Sequence, residues 1–446
     1  MSLTAFDSQI TGSLFTDEKT AALFTDRAVI KAMIDVEGAL AAAEGACDVI
    51  PREAAKGIVR ACQSAEINPS LLAEGTARDG VPVPALVKEL RALVGQEHAR
   101  FVHWGATSQD IYDTGLVLRL RSALDLHEGF LRELADTLAM LAKTHKDTPL
   151  AARTRTQQAT PTSFGLKCAV WLTAVLRHIE RIPGIKDRLL LLSFGGAAGN
   201  LAALGDKALE VEAGLAEHLG LKVSPAPWHT MRDGLNDYAN WLSLVTGSLG
   251  KIGQDVMLMA QNEVAELRPG SGGGSSTMPN KVNPVGAEVL VALARQNAGL
   301  IATMHQAALQ EHERSGSNWS IEWLTLPQMV LATGAALSEA NKLTSELVVK
   351  ADQMRANIEA SNGLLLAEAA MFALANQMPR PEAQEKVKTA CKTVNESGKH
   401  LFDVLSETFD LPIDWEALKD PARHMGASEQ MVDRVLESYQ AVIRRT

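Results

Sequence analysis

The sequence predicts an all-α protein built around long helices. Its 446 residues are 46% hydrophobic but only 4% aromatic, and much of the apolar content is alanine and leucine, which favour helix over strand. Two stretches also carry apolar residues at alternating spacings of three and four, as one face of a helix requires. A chain of this length has room for about three domains.

The two apolar faces are long enough to predict helices well beyond the mean of about 11–12 residues. Helices of that length suit a bundle shared between subunits. No internal repeat of about 20–50 residues favours a helical solenoid instead. The first face is formed by Leu120, Leu124, His127, Leu131, Leu134, Leu138 and Leu141, with the histidine in a structural role, and the second by Tyr238, Leu242, Val245, Leu249, Ile252, Val256 and Met259.

Capping residues and prolines predict where helices begin. These signals are Pro51 before a short helix, Thr107-Ser108 before the first long helix, Pro161 after Thr160 in the first turn of a second, and Asn283-Pro284 at a third. Shorter patterns on both sides of the long helices predict three domains. We place an N-terminal helical domain at 1–110, a central long-helix domain at 111–350 and a C-terminal helical domain at 351–446.

Charge and composition argue against several kinds of partner. The chain has 43 basic and 53 acidic residues, a formal net charge of −10, which opposes binding to nucleic acid or an anionic membrane. No apolar run approaches the about 20 residues of a membrane span, and residues 1–24 lack a signal-peptide pattern. The four cysteines are widely spaced and predict neither a disulfide framework nor a zinc site. We expect a cytoplasmic protein.

A glycine-rich stretch, RPGSGGGSSTMPNKVNP at 268–284, interrupts the helical pattern. Such a loop is either a mobile linker or a functional lid. It lacks the Gly-Lys-Ser/Thr spacing of a phosphate-binding P-loop. A second glycine cluster at Gly195, Gly196 and Gly199 is a weak match to a dinucleotide fingerprint, because the residues before it are not β-branched.

Three polar segments carry motifs. Residues 274–283, GSSTMPNKVN, follow the pattern G-S-x-x-M-x-x-K-x-N, and HWGATSQD at 103–110 and RTRTQQATPTSFG at 153–165 follow two further patterns. In all three the chain resembles the fumarase/aspartase superfamily. The likeness continues through residues 195–205, 232–233 and 313–322, and so covers most of the first 325 residues.

The resemblance implies a fold and a reaction type. It implies three helical domains in a homotetramer, with a shared core of roughly twenty helices and active sites where three subunits meet. Members add or eliminate a group beta to a carboxylate through a carbanion, without a metal or organic cofactor. The resemblance makes Ser275 the catalytic residue, and backbone N–H groups of the glycine-rich loop could stabilise its alkoxide.

The motifs also imply a shell that binds substrate carboxylates. The helix starts near Ser108, Thr160 and Asn283 present free N–H groups that suit anions, although such residues can also be simple caps. His229 and its role stay undecided, and His305 and His312 lack the spacing of a metal site. The substrate-binding candidates are His103, Thr107, Ser108, Thr154, Arg155, Thr156, Gln157, Lys281, Asn283, Arg78, Arg232 and Arg314.

Two departures from the superfamily's C–N lyases bear on the reaction. Adenylosuccinate and argininosuccinate lyases carry histidine at the position of Arg155, and adenylosuccinate lyases also carry one at the position of Arg78. Arginine cannot exchange protons at working pH. Arginine can instead hold a carboxylate through two parallel hydrogen bonds. We therefore expect the superfamily's lactonising reaction on a tricarboxylate, which releases no leaving group. The alternatives are a C–N lyase of the adenylosuccinate or argininosuccinate type that releases fumarate, and a catalytically silent structural protein.

Overall fold

The computed structural model describes residues 4–270, 273–274, 278 and 281–444. In this part of the chain the protein is mainly helical, and the strands form three short pairs. The five longest helices among the described residues have 23 to 37 residues. Both apolar faces found in the sequence lie buried on two of these long helices, so the prediction of long helices is confirmed.

Short helices precede the first long one. The third of them is the longest, and its buried face shares a hydrophobic core with the helices that follow. They are α1 (Gly12–Phe15), α2 (Glu18–Ala22), α3 (Asp26–Ala46), α4 (Arg52–Ser64), α5 (Ser70–Asp79) and α6 (Val83–Val94). The predicted helix after Pro51 corresponds to α4 and is confirmed.

The long helices follow, with one shorter helix among them. They are α7 (Ser108–Thr144), α8 (Phe164–Leu189), the shorter α9 (Ala208–Leu219), α10 (Asp233–Met259), α11 (Val285–Ala307) and α12 (Ser317–Ser345). The predicted starts at Thr107-Ser108 and Asn283-Pro284 are confirmed, because α7 begins at Ser108 and α11 at Val285.

Residues after 350 form shorter helices again, as the shorter patterns there predict. They are α13 (Ala351–Glu359), α14 (Ala367–Ala375), α15 (Arg380–Ser397), α16 (Leu401–Thr408) and α17 (Ser428–Arg444). Helices α14 to α16 bury a small apolar core of their own, which includes Leu374, Val387 and Phe402. Single 3-10 turns lie at Ala99–Phe101, Ala202–Lys207, Leu364–Leu366, Ala417–Lys419 and Pro421–His424.

A β-hairpin stands where the sequence predicts the start of a helix. Its strands are β1 (Pro149–Thr154) and β2 (Gln157–Ser163), paired antiparallel with Pro161 opposite Ala151. The prediction of a helix start at Pro161 is therefore wrong. A proline fits because a two-stranded sheet has only edge strands. Helix α8 begins at Phe164 instead, and the hydroxyl of Ser163 accepts a hydrogen bond from the N–H of Leu166 at 3.0 Å.

Two further strand pairs are short. Strand β3 (Leu267–Arg268) pairs with β6 (Val348–Val349), and β4 (Gly273–Gly274) pairs with β5 (Val282–Asn283), both antiparallel. The second pair lies within the glycine-rich loop.

The chain divides into two compact units. Unit 1 consists of Met1–Phe130, Arg181–Gly247 and Ala292–Ser338, and unit 2 of Leu131–Glu180, Ser248–Val291 and Glu339–Thr446. The dividing points fall within each of the five long helices. The three-domain division at residues 110 and 350 stays a prediction.

Helix α11 differs from the sequence expectation in one respect. By length and composition alone it could cross a membrane, although no such run was expected. Two consecutive helical segments, Ala351–Glu359 and Leu364–Ala375, are long and apolar enough to cross a membrane only if they are counted as one bent span. A helix in the core of a water-soluble protein can have the same length and composition. In α11, 28% of an apolar stretch of 18 residues is buried within this chain, which leaves much of the helix surface open.

Glu44 is a buried carboxyl group on α3, and no described residue forms a hydrogen bond with either of its oxygens. Burial, reinforced by the carboxylate of Glu37 on the same helix, raises the pKa of Glu44 to about 9. Between pH 4.5 and 9 the unfolded chain therefore holds fewer protons than the folded chain at this group. Stability then falls as pH rises, by at most about 1.4 kcal/mol per pH unit.

Replacing Glu44 by glutamine should remove this pH dependence. We expect the free energy of unfolding of Glu44→Gln, relative to the original chain, to be about 1–3 kcal/mol higher at pH 8 than at pH 5.5. Urea unfolding at the two pH values measures the difference. The exposed Glu217→Gln serves as the control and should show no such change. Equal pH dependence in the original chain and Glu44→Gln would contradict the assignment.

Candidate active site

The first turn of α7 organises a buried polar network in unit 1. Asp110, fully buried, accepts hydrogen bonds from the backbone N–H groups of Thr107 at 2.9 Å, Gly195 at 2.9 Å and Gly196 at 3.0 Å. Its Oδ1 also lies 2.7 Å from Nε2 of His229. One carboxylate thus joins the start of α7 to the loop at 195–196 and contacts the ring of His229.

A side chain at Gly195 would crowd the residues around it. A Cβ there would lie 3.0 Å from Cε1 of His229 and 3.1 Å from the Cα of Gly199. The second glycine cluster therefore lets the loop approach Asp110 and His229 closely. This packing accounts for the cluster without a dinucleotide.

Arg232, directly before α10, lies at the centre of a buried ion network that includes Asp113, one turn after Asp110 on α7. Its guanidinium donates to Asp113 at 2.6 and 3.3 Å and to Glu322 at 2.9 and 2.6 Å. Burial alone would lower the pKa of Arg232, but the two carboxylates outweigh it and raise that pKa, so the group stays charged. Asp113 also accepts from Nε1 of Trp319 at 2.9 Å.

The sequence predicts that Arg232 binds substrate, but the structure places its side chain where it contacts buried carboxylates instead. The side chain is fully buried, and each nitrogen of its guanidinium donates to a carboxylate. We therefore assign Arg232 a structural role, because each guanidinium nitrogen already donates to a carboxylate within the protein.

Arg314 is better placed to reach a ligand. Its Nε donates to Oε1 of Gln109 at 3.1 Å and its Nη2 to the carbonyl of Gly196 at 3.2 Å, and the residue is only half-buried. Gln109 also donates to Asp113 at 3.1 Å, so Arg314 connects to the buried network through one side chain.

The remaining candidates of unit 1 lie on the surface or just beneath it. Thr107 and Ser108 are half-buried at the start of α7. His103 lies four residues earlier, with its Nδ1 2.6 Å from Oε1 of the buried Glu37. Arg78 is exposed in the last turn of α5 and forms two 2.8 Å hydrogen bonds to its neighbour Asp79. Among the described residues, the guanidinium of Arg78 is therefore held by Asp79, which is not a candidate site residue.

In unit 2 the candidates of the second motif sit at the tip of the β1–β2 hairpin. Thr154, Arg155, Thr156 and Gln157 are all exposed there. Arg155 and Thr156 form the two-residue turn with φ of 50° and 68°, the positive values that such hairpin turns require. Neither is glycine, so each carries a backbone strain of about 1 kcal/mol.

A buried carboxylate holds the hairpin next to its turn, at Arg153, which pairs with Gln158. Arg153 donates to Glu266 through two hydrogen bonds of 2.7 and 2.8 Å, and Glu266 is fully buried. Asn357 of α13 donates to the same carboxylate at 2.9 Å. The exposed turn therefore projects from a rigid support.

The signature loop is described in part. Ser275, the predicted catalytic residue, lies outside the described residues. Lys281 is exposed and its N–H donates to the carbonyl of Met278 at 3.0 Å, while Asn283 is half-buried in β5. Both lie directly before α11, which begins at Val285.

A family model described as "Lyase" matches residues 15–299, and a second, "Adenylosuccinate lyase C-terminus", matches residues 363–435. The chain belongs to the lyase family of the fumarase/aspartase superfamily. The predicted all-α fold of this family is thereby confirmed.

Relatives within the lyase family match over nearly the whole chain. The 3-carboxy-cis,cis-muconate cycloisomerase of Pseudomonas aeruginosa is 44% identical, covering 98% of this chain and 97% of the relative. The enzyme of that name from Bradyrhizobium diazoefficiens is 43% identical over 93% of this chain and 94% of its own. The crystal structure of the 3-carboxy-cis,cis-muconate lactonizing enzyme from Pseudomonas putida has a TM-score of 0.93 at 42% identity, covering 98% of this chain and 100% of that one.

The sequence analysis did not select four buried acidic residues that the structure places in or next to the candidate site. Asp110 stands inside a recognised motif, and Glu322 closes another stretch of likeness, so both could have been selected. Glu37 lies three residues from the buried Ile34 and Leu40 on α3, and a charged residue on an apolar helix face is the signal for it. Asp113 follows Asp110 by three residues on α7 and shares its buried face.

Proposed function

We propose that this chain is a 3-carboxy-cis,cis-muconate cycloisomerase, acting as in the bacterial breakdown of protocatechuate. The observation that carries the proposal is the 44% identity, over 98% of the chain, to the Pseudomonas aeruginosa enzyme of that name. The reaction adds one carboxylate of a tricarboxylate to a double bond of the same molecule and gives the 4-carboxymuconolactone.

The electron movement is simple because nothing leaves the molecule. A carboxylate oxygen forms a C–O bond to one alkene carbon, and the electron pair of the double bond moves to the other carbon, whose charge spreads into an adjacent carboxylate. That carbon then takes a proton. The nucleophile is already ionised and tethered, so it needs no base and loses little entropy. In this direction Ser275 is the proton donor, and Lys281 and Asn283 stabilise the anion.

Arg155 supports this assignment over proton-transfer lyase chemistry. It stands exposed on a rigid hairpin, in the position where the related C–N lyases carry histidine. A guanidinium there can bind a carboxylate through two hydrogen bonds but cannot protonate a departing amine. Thr154, Thr156 and Gln157 beside it, with His103, Thr107, Ser108, Arg78 and Arg314, make up the proposed carboxylate shell.

Replacing Arg155 by histidine tests this role. We expect KM for 3-carboxy-cis,cis-muconate to rise about 10- to 100-fold at pH 8, since a charge-assisted hydrogen-bond pair is worth about 1.5–3 kcal/mol. We also expect no gain of fumarate release. Steady-state kinetics on both substrate types measures this, with Arg52→His on α4 as a surface control. An unchanged KM would remove Arg155 from the site.

The adenylosuccinate lyase C-terminal match at residues 363–435 favours a second candidate, a C–N lyase that releases fumarate. A direct assay separates the two. The first function predicts loss of muconate absorbance with 3-carboxy-cis,cis-muconate, and the second predicts fumarate from adenylosuccinate or argininosuccinate. Robust fumarate release would overturn our choice.

A homotetramer, with each site built from three subunits, completes the proposal. It is supported by large apolar side chains that stand exposed on the long helices, at Met140, Val170, Leu244, Leu258 and Leu324, and by the open apolar surface of α11. Apolar area of this kind favours association. The particle mass from light scattering tests it, and a monomer would contradict it. We also propose that the enzyme acts in the cytoplasm on a small-molecule substrate.

A further inference from the structure

Glu37 is a buried carboxylate whose contact with His103 spans 66 positions of the sequence. It lies on α3, whereas His103 lies in the loop before α7. Oε1 of Glu37 is 2.6 Å from Nδ1 of His103, and its other oxygen has no hydrogen-bond partner among the described residues. A buried charge is costly unless it is compensated, so this carboxylate needs a cation beside it.

The backbone holds His103 in an unfavourable conformation. Its φ is 66°, in the left-handed region that residues with a side chain rarely occupy. Such strain concentrates at functional sites. The nearby Gly105 packs closely against Leu204, since a Cβ there would lie 2.7 Å from Cδ2 of that residue. With Nδ1 engaged by Glu37, Nε2 is the ring nitrogen left to meet a ligand.

The charges around His103 come from three helices. Burial alone would lower the pKa of the ring, and Arg91 of α6 acts in the same direction. The carboxylates of Glu37 on α3 and Asp110 on α7 act against both, and the net result is a raised pKa for His103. The largest favourable contribution comes from Glu37, which also forms the hydrogen bond.

We propose that Glu37 is a positioning residue that fixes the ring of His103 and keeps it charged, so that Nε2–H donates to a carboxylate of the substrate. The identity of the substrate in this proposal rests on the proposed function, whereas the pairing of Glu37 with His103 rests on the geometry of the structure. A charged donor at that place would bind the ground-state carboxylate and also the charge that spreads into it during addition. Glu37 acts only through His103.

The competing explanation is that Glu37 merely anchors the loop before α7. Glu37→Gln separates the two, because the amide oxygen can still accept a hydrogen bond from Nδ1–H while the negative charge is lost. An anchoring role predicts little change, or a loss that is the same at every pH. A charge-holding role predicts a loss that grows as pH rises.

The first measurement is the titration of His103 by NMR in protein labelled with ¹³Cε1-histidine, with His103→Gln identifying its signal. We expect His103 in the original enzyme to titrate above its ordinary value of about 6.5, and Glu37→Gln to lower the midpoint by about one pH unit. Glu44→Gln is the matched control, since it removes the other buried carboxyl of α3 and should leave the midpoint within a few tenths of a unit.

The second measurement is kcat/KM for 3-carboxy-cis,cis-muconate against pH. We expect Glu37→Gln to lower it about tenfold at pH 8, and less than twofold at pH 5.5, where the ring is charged in both proteins. An unchanged midpoint in Glu37→Gln, or an equal loss at both pH values, would overturn the proposal. If Glu37→Gln does not fold, a midpoint at or below about 6.5 in the original enzyme overturns it, and Glu37→Asp replaces the variant. An enzyme without turnover on this substrate refutes the proposed function alone, because the titration still decides whether Glu37 controls His103.

Discussion

Replacing Arg232 by methionine should lower the free energy of unfolding by about 3–5 kcal/mol. The substitution keeps most of the side-chain volume but leaves the carboxylates of Asp113 and Glu322 buried without their cation. It also removes the guanidinium that stands 4.8 Å from the ring centroid of Trp228. Because removal of one partner leaves the other charges uncompensated, the loss exceeds what the ion pairs are worth as a set.

Urea unfolding of Arg232→Met at pH 7 measures the loss. The control is Arg188→Met, which breaks an exposed ion pair to Asp237 and should cost less than about 1 kcal/mol. Adding Asp113→Asn and Glu322→Gln to Arg232→Met should recover part of the stability, since no buried charge is then left alone. A loss below about 1 kcal/mol in Arg232→Met would show that the network is not a stabilising element.

The second large effect is expected at Ser275. Ser275→Ala should lower kcat on 3-carboxy-cis,cis-muconate by about 1,000-fold, within the about 10²–10⁴ that a positioned proton donor contributes. The alanine removes one hydroxyl and no charge, so KM should change by less than about threefold. The expectation rests on the signature motif, because this residue lies outside the described part of the chain.

The next residue in the sequence, Ser276, provides the control. Ser276→Ala makes the same chemical change one position along the same loop, and its effect on kcat should be at least tenfold smaller. Single-turnover kinetics for both variants separates the chemical step from product release. Undiminished turnover in Ser275→Ala would refute its role as proton donor.

Periodicity was sufficient to predict two of the five long helices. The residues of the two apolar faces, from Leu120 to Leu141 and from Tyr238 to Met259, are nearly all fully buried, because helical spacing alone decides which side chains share a face. The hairpin at 149–163 was missed because its proline and threonines fit either a helix start or an edge strand. The pairing of Pro161 with Ala151 decides between them, and pairing is a tertiary property that local sequence does not carry.

The candidate site divides in the same way. Motif residues such as Arg155 and Lys281 were found because their spacing is fixed along the chain. Glu37 was not found, because its partner His103 is 66 positions away and nothing in the sequence near either residue indicates that the two are in contact. Arg232 was selected through the family resemblance, but whether an arginine faces a ligand or buried carboxylates depends on burial, which one sequence does not reveal.

The hairpin turn at Arg155-Thr156 has a consequence for protein engineering. An Asn-Gly pair would adopt the same backbone without strain and should make the hairpin more robust. A screen that ranks variants by melting temperature alone would therefore favour that exchange and discard the guanidinium with it. Selection for heat resistance should thus favour Asn-Gly at these two positions, whereas selection for growth on the aromatic carbon source should favour Arg155-Thr156.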